Sequence, residues 1–154
     1  MGKSVSILSW IIICLFLGYM SSLMQSDSLV EWYPALVRSP LTPPDWVFPF
    51  TWTILYILMG ISVGMLYNVR SIYTRFLYVL FVVQLVLNLL WSLFFFYFRS
   101  PVMGFMDILF LDMFVLLYFV GAYVVKRGAA FIMLPYIMWL LFATYLNGYI
   151  MLYN

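Results

Sequence analysis

The chain has 154 residues, of which 68% are hydrophobic and only 8% charged, with a mean hydropathy of +1.11 and a formal net charge of +2. Soluble domains carry about a quarter charged residues, so this composition excludes a water-facing surface and reads as one integral-membrane domain over residues 1–154. The weak positive charge argues against a nucleic-acid partner, and the lack of histidine argues against His-based triads, most zinc sites and the usual haem ligand.

A helix that crosses the hydrocarbon core needs about 20 mostly apolar residues. Five stretches qualify, at residues 4–24, 46–67, 76–98, 102–125 and 129–153. They are long and continuous rather than short and alternating, so a β-barrel fails. The expected fold class is all-α: a polytopic membrane protein made of a single bundle of five transmembrane helices. The first stretch carries a stripe of small residues, Cys14, Gly18 and Ser22, suited to close helix contact. With a single cysteine, no intrachain disulfide can form.

Residues 25–45 follow as the one long connection, dense in aromatics and proline. Proline fixes φ, so such a loop gives up little entropy when it holds a shape. Trp32, Tyr33, Pro43 and Pro44 make it too rigid and too aromatic for a mere connector, and suited to gripping a large planar ligand. The second span presents Trp52 and Tyr56 one turn apart behind Pro49, then Gly60 and Gly64 as GxxxG. Packing within the bundle is the default reading of that pair, and subunit contact the sharper one. A short basic connection, Asn68 to Arg75, leads to the third span.

There Gln84, Asn88, Trp91 and Phe95 recur at helical spacing, on one face. Amides are expensive against lipid, so this face should point inward. Taken alone it favours interhelical glue over a ligand site. Arg99-Ser100-Pro101 is a tight turn that makes spans three and four antiparallel neighbours. Span four holds Asp107 and Asp112 on nearly opposite faces. After the basic turn Lys126 to Gly128, span five places Tyr136, Trp139, Ala143 and Asn147 on one face. These read as the facing wall of a cavity or as packing around a small residue.

Orientation follows the positive-inside rule. Lys3, Arg70, Arg75, Lys126 and Arg127 fall on one side, and Arg38 and Arg99 on the other. The amino terminus is therefore expected in the cytoplasm, with the long loop and the carboxyl terminus outside.

Three blocks carry a resemblance: WY…PP.W.FP..W..LY..MG from Trp32 to Gly60, QL.LN..WS..FF from Gln84 to Phe95, and PY..W..FA..LN from Pro135 to Asn147. In this order on five spans, they resemble the translocator protein family, also called tryptophan-rich sensory proteins or peripheral benzodiazepine receptors (TspO/MBR). The resemblance implies a homodimeric bundle in a bacterial cell membrane. It implies porphyrin as ligand or substrate, notably protoporphyrin IX or a related tetrapyrrole, and synthetic benzodiazepine- or isoquinoline-type ligands. No further cofactor and no metal are implied, and membrane lipid surrounds the bundle. By motif, the resemblance implies Tyr33, Trp52, Asn88, Trp91, Trp139, Phe142, Ala143 and Asn147 as ligand-binding residues, and Trp32 to Pro44 as the lid, with Trp32, Arg38, Pro43 and Pro44 in it. The chain departs from the family pattern where Ser39 stands between Arg38 and Pro40, and no basic residue follows Tyr149.

The leading expectation is a receptor or sensor that binds porphyrins. The alternative is an enzyme that degrades protoporphyrin with light and oxygen, in which Trp52 and Trp139 are the redox residues. A tetrapyrrole transporter is the second alternative.

Overall fold

In a computed structural model, residues 2–67 and 69–154 are described. Asn68, which opens the second connection, lies outside the described residues. The described helices are α1 (Lys3–Glu31), α2 (Val47–Gly64), α3 (Thr74–Ser92), α4 (Pro101–Val125), α5 (Arg127–Ile132) and α6 (Leu134–Tyr153). A 3-10 turn at Tyr33–Ala35 follows α1, and a π-helical turn at Leu93–Tyr97 extends α3. Five of the resulting rods are long and apolar enough to span a membrane, with α5 and α6 together forming the fifth. The protein is an integral membrane helical bundle.

Glycine decides how α1 meets α2. A Cβ built on Gly60 would lie 2.5 Å from the Ile11 Cα, and one on Gly64 would lie 2.5 Å from the Ile7 Cα. Only hydrogen fits, so the two backbones touch, as small-residue stripes permit. The GxxxG pair is therefore used inside the bundle. Farther along, Ser62 joins three helices: its Oγ donates to the Ala129 carbonyl at 2.7 Å and lies 3.0 Å from the Tyr118 hydroxyl. α3 packs along α4, and α4 along α6. Phe76, Val79, Val82 and Val86 stay exposed on the outer face of α3, where lipid takes the place of water.

The expected loop from residue 25 needs correction, because α1 continues to Glu31. Ser21, Gln25 and Ser28 recur every three or four residues and all face the end of α3. Gln25 Nε2 donates to Ser92 Oγ at 2.9 Å, and Ser28 Oγ donates to the Phe96 carbonyl at 2.5 Å. These bonds hold the polar end of α1 helical. The connecting loop thus begins at Trp32.

The end of α3 is irregular for a specific reason. Phe98 N–H bonds the Leu93 carbonyl at 2.9 Å, five residues back, and Ser100 N–H bonds that of Phe94 at 3.1 Å. The wide turn lets the adjacent Phe95 and Phe96 both be buried. Arg99 then takes φ 51°, a left-handed conformation costly for a side-chain-bearing residue. Ser100 caps α4 by accepting from Met103 N–H at 3.3 Å, and Pro101 sits in the first turn, where its missing N–H is harmless. The tight antiparallel turn expected between spans three and four is present.

Candidate functional site

A cavity of about 560 Å³ opens between the end of α1, the start of α2, the end of α3 and the last turns of α6. Its aromatic wall grows from helical spacing. Trp52 on α2 stacks with Trp91 on α3 at 6.4 Å between ring centroids and 29° between planes. Trp91 stacks in turn on Phe95 at 5.4 Å and 14°. Tyr33, from the 3-10 turn, closes against Phe95 and Phe96. Offset aromatic contacts of this kind add to simple burial and hold the rings in place.

Polar groups meet the cavity at fixed points. Asn88 is nearly fully buried: its Oδ1 accepts from the Tyr56 hydroxyl at 2.5 Å, and its Nδ2 donates to the Tyr136 hydroxyl at 3.3 Å. Tyr136 donates onward to Gln84 Oε1 at 3.0 Å. The amide face of α3 is thus both interhelical glue and cavity wall. Asn147 is similarly committed, accepting from Trp91 Nε1 at 3.0 Å and donating to the Pro101 carbonyl at 2.9 Å. This pair orients the Trp91 ring. Opposite them, Ser21, Ser92 and Gln25 form a hydrogen-bonded cluster, with the two serine hydroxyls 2.5 Å apart.

Six of the residues expected at the site line one space: Tyr33, Trp52, Asn88, Trp91, Ala143 and Asn147. Trp139 and Phe142 do not line it. Trp139 sits at the edge of the inward face of α6, in edge-to-face contact with Phe48 at 5.9 Å and Phe142 at 5.8 Å. Its Nε1 is buried without a hydrogen-bond partner. Phe48 itself lines the cavity, so Trp139 backs a wall residue.

The loop lies over one end of this space. Trp32 packs edge-on against Phe95 at 5.5 Å. The Arg38 guanidinium lies 5.2 Å from the Tyr33 ring centroid and 3.4 Å from Asp45. Burial pushes the Tyr33 phenol up, and the nearby Arg38 charge opposes this, so Tyr33 stays a neutral hydrogen-bonding group. Pro44 accepts from Val47 N–H at 2.9 Å and so leads the chain into α2. Trp32, Arg38, Pro43 and Pro44 belong to the loop without lining the cavity, whereas Asp45 does line it.

Two anchors of the loop were not foreseen. Ser39 is buried, its Oγ 3.0 Å from the Tyr145 hydroxyl and accepting from Leu41 N–H at 3.1 Å. Asn154 accepts from Val37 N–H at 2.9 Å and donates to the Val37 carbonyl at 3.2 Å. The serine that interrupts the family pattern is what fastens the loop to α6. On α1, Ser21 and Gln25 carry a polar face toward Ser92 that was not foreseen, and Ser22 of the expected small-residue stripe is exposed.

The acids of α4 lie apart from the cavity lining. Asp112 accepts from Thr144 Oγ1 at 2.8 Å, and buried Asp107 has one oxygen without a partner. Among the described residues, no group of three or more Asp, Glu or Cys is placed to hold a metal ion.

The sequence profile of the TspO/MBR family matches residues 10–153. The chain is 36% identical to the tryptophan-rich protein TspO of Chlorobaculum tepidum, over 100% of this chain and 99% of that protein. It is 36% identical to the protein of the same name from Archaeoglobus fulgidus over 94% of each. The translocator protein of Bos taurus is 28% identical over 84% of this chain and 79% of its own. With five spans, the three motif blocks and a profile match over nearly the whole length, the chain belongs to the TspO/MBR family of sensory and translocator membrane proteins.

Proposed function

We propose that this protein is a membrane receptor or sensor whose cavity binds protoporphyrin IX or a related tetrapyrrole, and admits benzodiazepine- or isoquinoline-type ligands to the same space. The observation that carries this reading is the stacked wall Trp52–Trp91–Phe95 beside a cavity of about 560 Å³. Flat rings offer stacking faces to a flat macrocycle, and the volume suits a ligand site. Asn88 and Asn147 fix the polar positions. Among the described residues, Asp45 is the only charged one that lines the cavity, and Arg38 stands beside it. A ligand carboxylate would take the place of Asp45 as the partner of Arg38. On the same reading, the amino terminus faces a bacterial cytoplasm, the loop faces outward and the bundle works as a homodimer.

Titration of the purified protein with protoporphyrin IX in darkness tests the proposal, followed by tryptophan fluorescence and the porphyrin absorption band. Saturable binding at one ligand per chain is expected. A linear, unsaturable response would overturn it. A second reading has its own support: Trp52 and Trp91 are stacked indoles on the cavity wall, and indole is readily oxidised. Under light and oxygen, a bound porphyrin would then be degraded by a photo-oxidative enzyme. Irradiating the complex should give a defined, stoichiometric product, and Trp52→Phe should slow its formation more than it weakens binding. Trp139→Phe, one shell away, should slow it less. Scattered protein oxidation alone would leave the receptor reading.

A further inference from the structure

The geometry points to a second site: a groove on the outside of the bundle that takes a zwitterionic phospholipid with a primary ammonium headgroup. The groove, about 490 Å³, lies between α1 and the π turn, away from the aromatic cavity. Met20, Leu23, Met24 and Asp27 fall at helical spacing along one side of it, with Tyr97 and Arg99 on the other. Ser28 also lines it, and its Oγ donates to the Phe96 carbonyl, which pins α1 to the π turn.

Its chemistry is graded along the helix. From Met20 to Asp27 the rise is about 10 Å, the scale of the passage from acyl chains to headgroups. The deep part is methionine and leucine, with Leu23 and Met24 exposed. The shallow part is charged. Arg99 sits 3.0 Å from Glu31, and its side chain remains 44% exposed. That ion pair engages one of the five guanidinium donors and leaves others for a phosphate. The left-handed backbone at Arg99 sets where this side chain leaves the chain. A strained non-glycine residue that carries a charge to a groove mouth is a feature worth a functional test.

Charge complementarity selects the occupant. Among the described residues, the charged groups lining the groove are Arg99 and the exposed Asp27, and exposed Glu31 pairs with Arg99 beside it. An anionic lipid would add to the local negative charge. A zwitterionic lipid places phosphate on Arg99 and its cationic group by the acids. A primary ammonium donates hydrogen bonds to Asp27, whereas a trimethylammonium offers none. The expected order is therefore phosphatidylethanolamine over phosphatidylcholine over phosphatidylglycerol.

Native mass spectrometry of the full chain, released from detergent with each lipid in turn, reads this order directly. Phosphatidylethanolamine adducts should survive activation best. Arg99→Gly, which also relieves the positive φ, should lower their abundance by about tenfold, as expected for loss of charge-assisted hydrogen bonds. Asp27→Asn should remove the preference for ethanolamine over choline while leaving phosphate binding. Porphyrin titration of the same variants reports that the bundle is intact, independently of the lipid result. Equal retention of all three lipids, or adducts untouched by both variants, would overturn the site. So would loss of a dimer on Arg99→Gly without loss of lipid, because the groove would then be covered by a second copy of the chain.

Discussion

The two ends of the bundle are built from opposite kinds of residue. At the end that carries the amino terminus, Gly60 and Gly64 bring α2 onto the backbone of α1, and Ser62, Tyr118 and Ala129 lock α2, α4 and α5 together. The helices there meet backbone to backbone. At the loop end, Trp52, Trp91, Phe95 and Phe96 hold the helices apart on ring contacts of 4.9–6.4 Å between centroids, and an open volume remains between them. Small residues close a bundle and large flat ones prop it open. Stability and binding are therefore expected to separate along the membrane normal.

The largest effect should come from the closed end. Gly60→Leu forces a side chain into the Ile11 backbone, which cannot yield. Overpacking of this kind should cost about 3 kcal/mol or more, read as a large drop in the melting temperature of the detergent-solubilised protein. The fraction that still folds should bind porphyrin with nearly unchanged affinity. An equal loss of both would erase the distinction between the ends.

Asn88 sits at the boundary and should show both losses. Asn88→Ala orphans the Tyr56 hydroxyl and removes the amide that donates to Tyr136, which keeps its bond to Gln84, a penalty of about 1–3 kcal/mol in thermal unfolding. Affinity should fall as well, because the cavity loses an oriented amide. A variant with wild-type stability would mean that water or a neighbour replaces it without penalty.

Ala143→Leu belongs to the open end alone. The added methyl groups enter existing space, so stability should move by less than about 1.5 kcal/mol while porphyrin affinity drops by about tenfold. Competition titration against an isoquinoline ligand would sharpen the result, since the bulkier ligand should lose more. The smallest effect is expected at Ser39. Ser39→Ala removes the tie to Tyr145, worth about 1 kcal/mol, and should appear mainly as a faster ligand off-rate in stopped-flow fluorescence. An unchanged off-rate would show that the Asn154–Val37 pair alone holds the loop.

The closed end was largely legible in the sequence, and the open end only in part. Span number and the close contact at Gly60 and Gly64 follow from hydropathy and residue size, which act locally, and at the other end so does the tight turn at Arg99. The amide face of α3 was visible because Asn and Gln are too costly to leave against lipid. Serines gave no such warning. Ser21 and Ser28 could bond to their own helix, so nothing local says that they reach Ser92 and Phe96 instead. That choice decides where α1 ends. Trp139 shows another limit: helical periodicity put it on the face of Ala143 and Asn147, yet a side chain at the edge of a face goes where its neighbours leave room. The fifth span was read as one rod, and the structure interrupts it at Met133, just ahead of Pro135.

The π turn after α3 amounts to one residue more than an α-helix needs. That surplus is why Phe95 and Phe96 can face the same interior, and why the Phe96 carbonyl is free to receive Ser28. Deleting any one residue from Leu93 to Tyr97 would let the ordinary i to i−4 ladder close and turn one of the two rings toward lipid. The same deletion would withdraw the anchor of α1 and shift Tyr97, one side of the outer groove. Substitutions in this segment should accordingly be tolerated far better than changes in its length, and a comparison of the two would reveal a ruler in which spacing outranks residue identity.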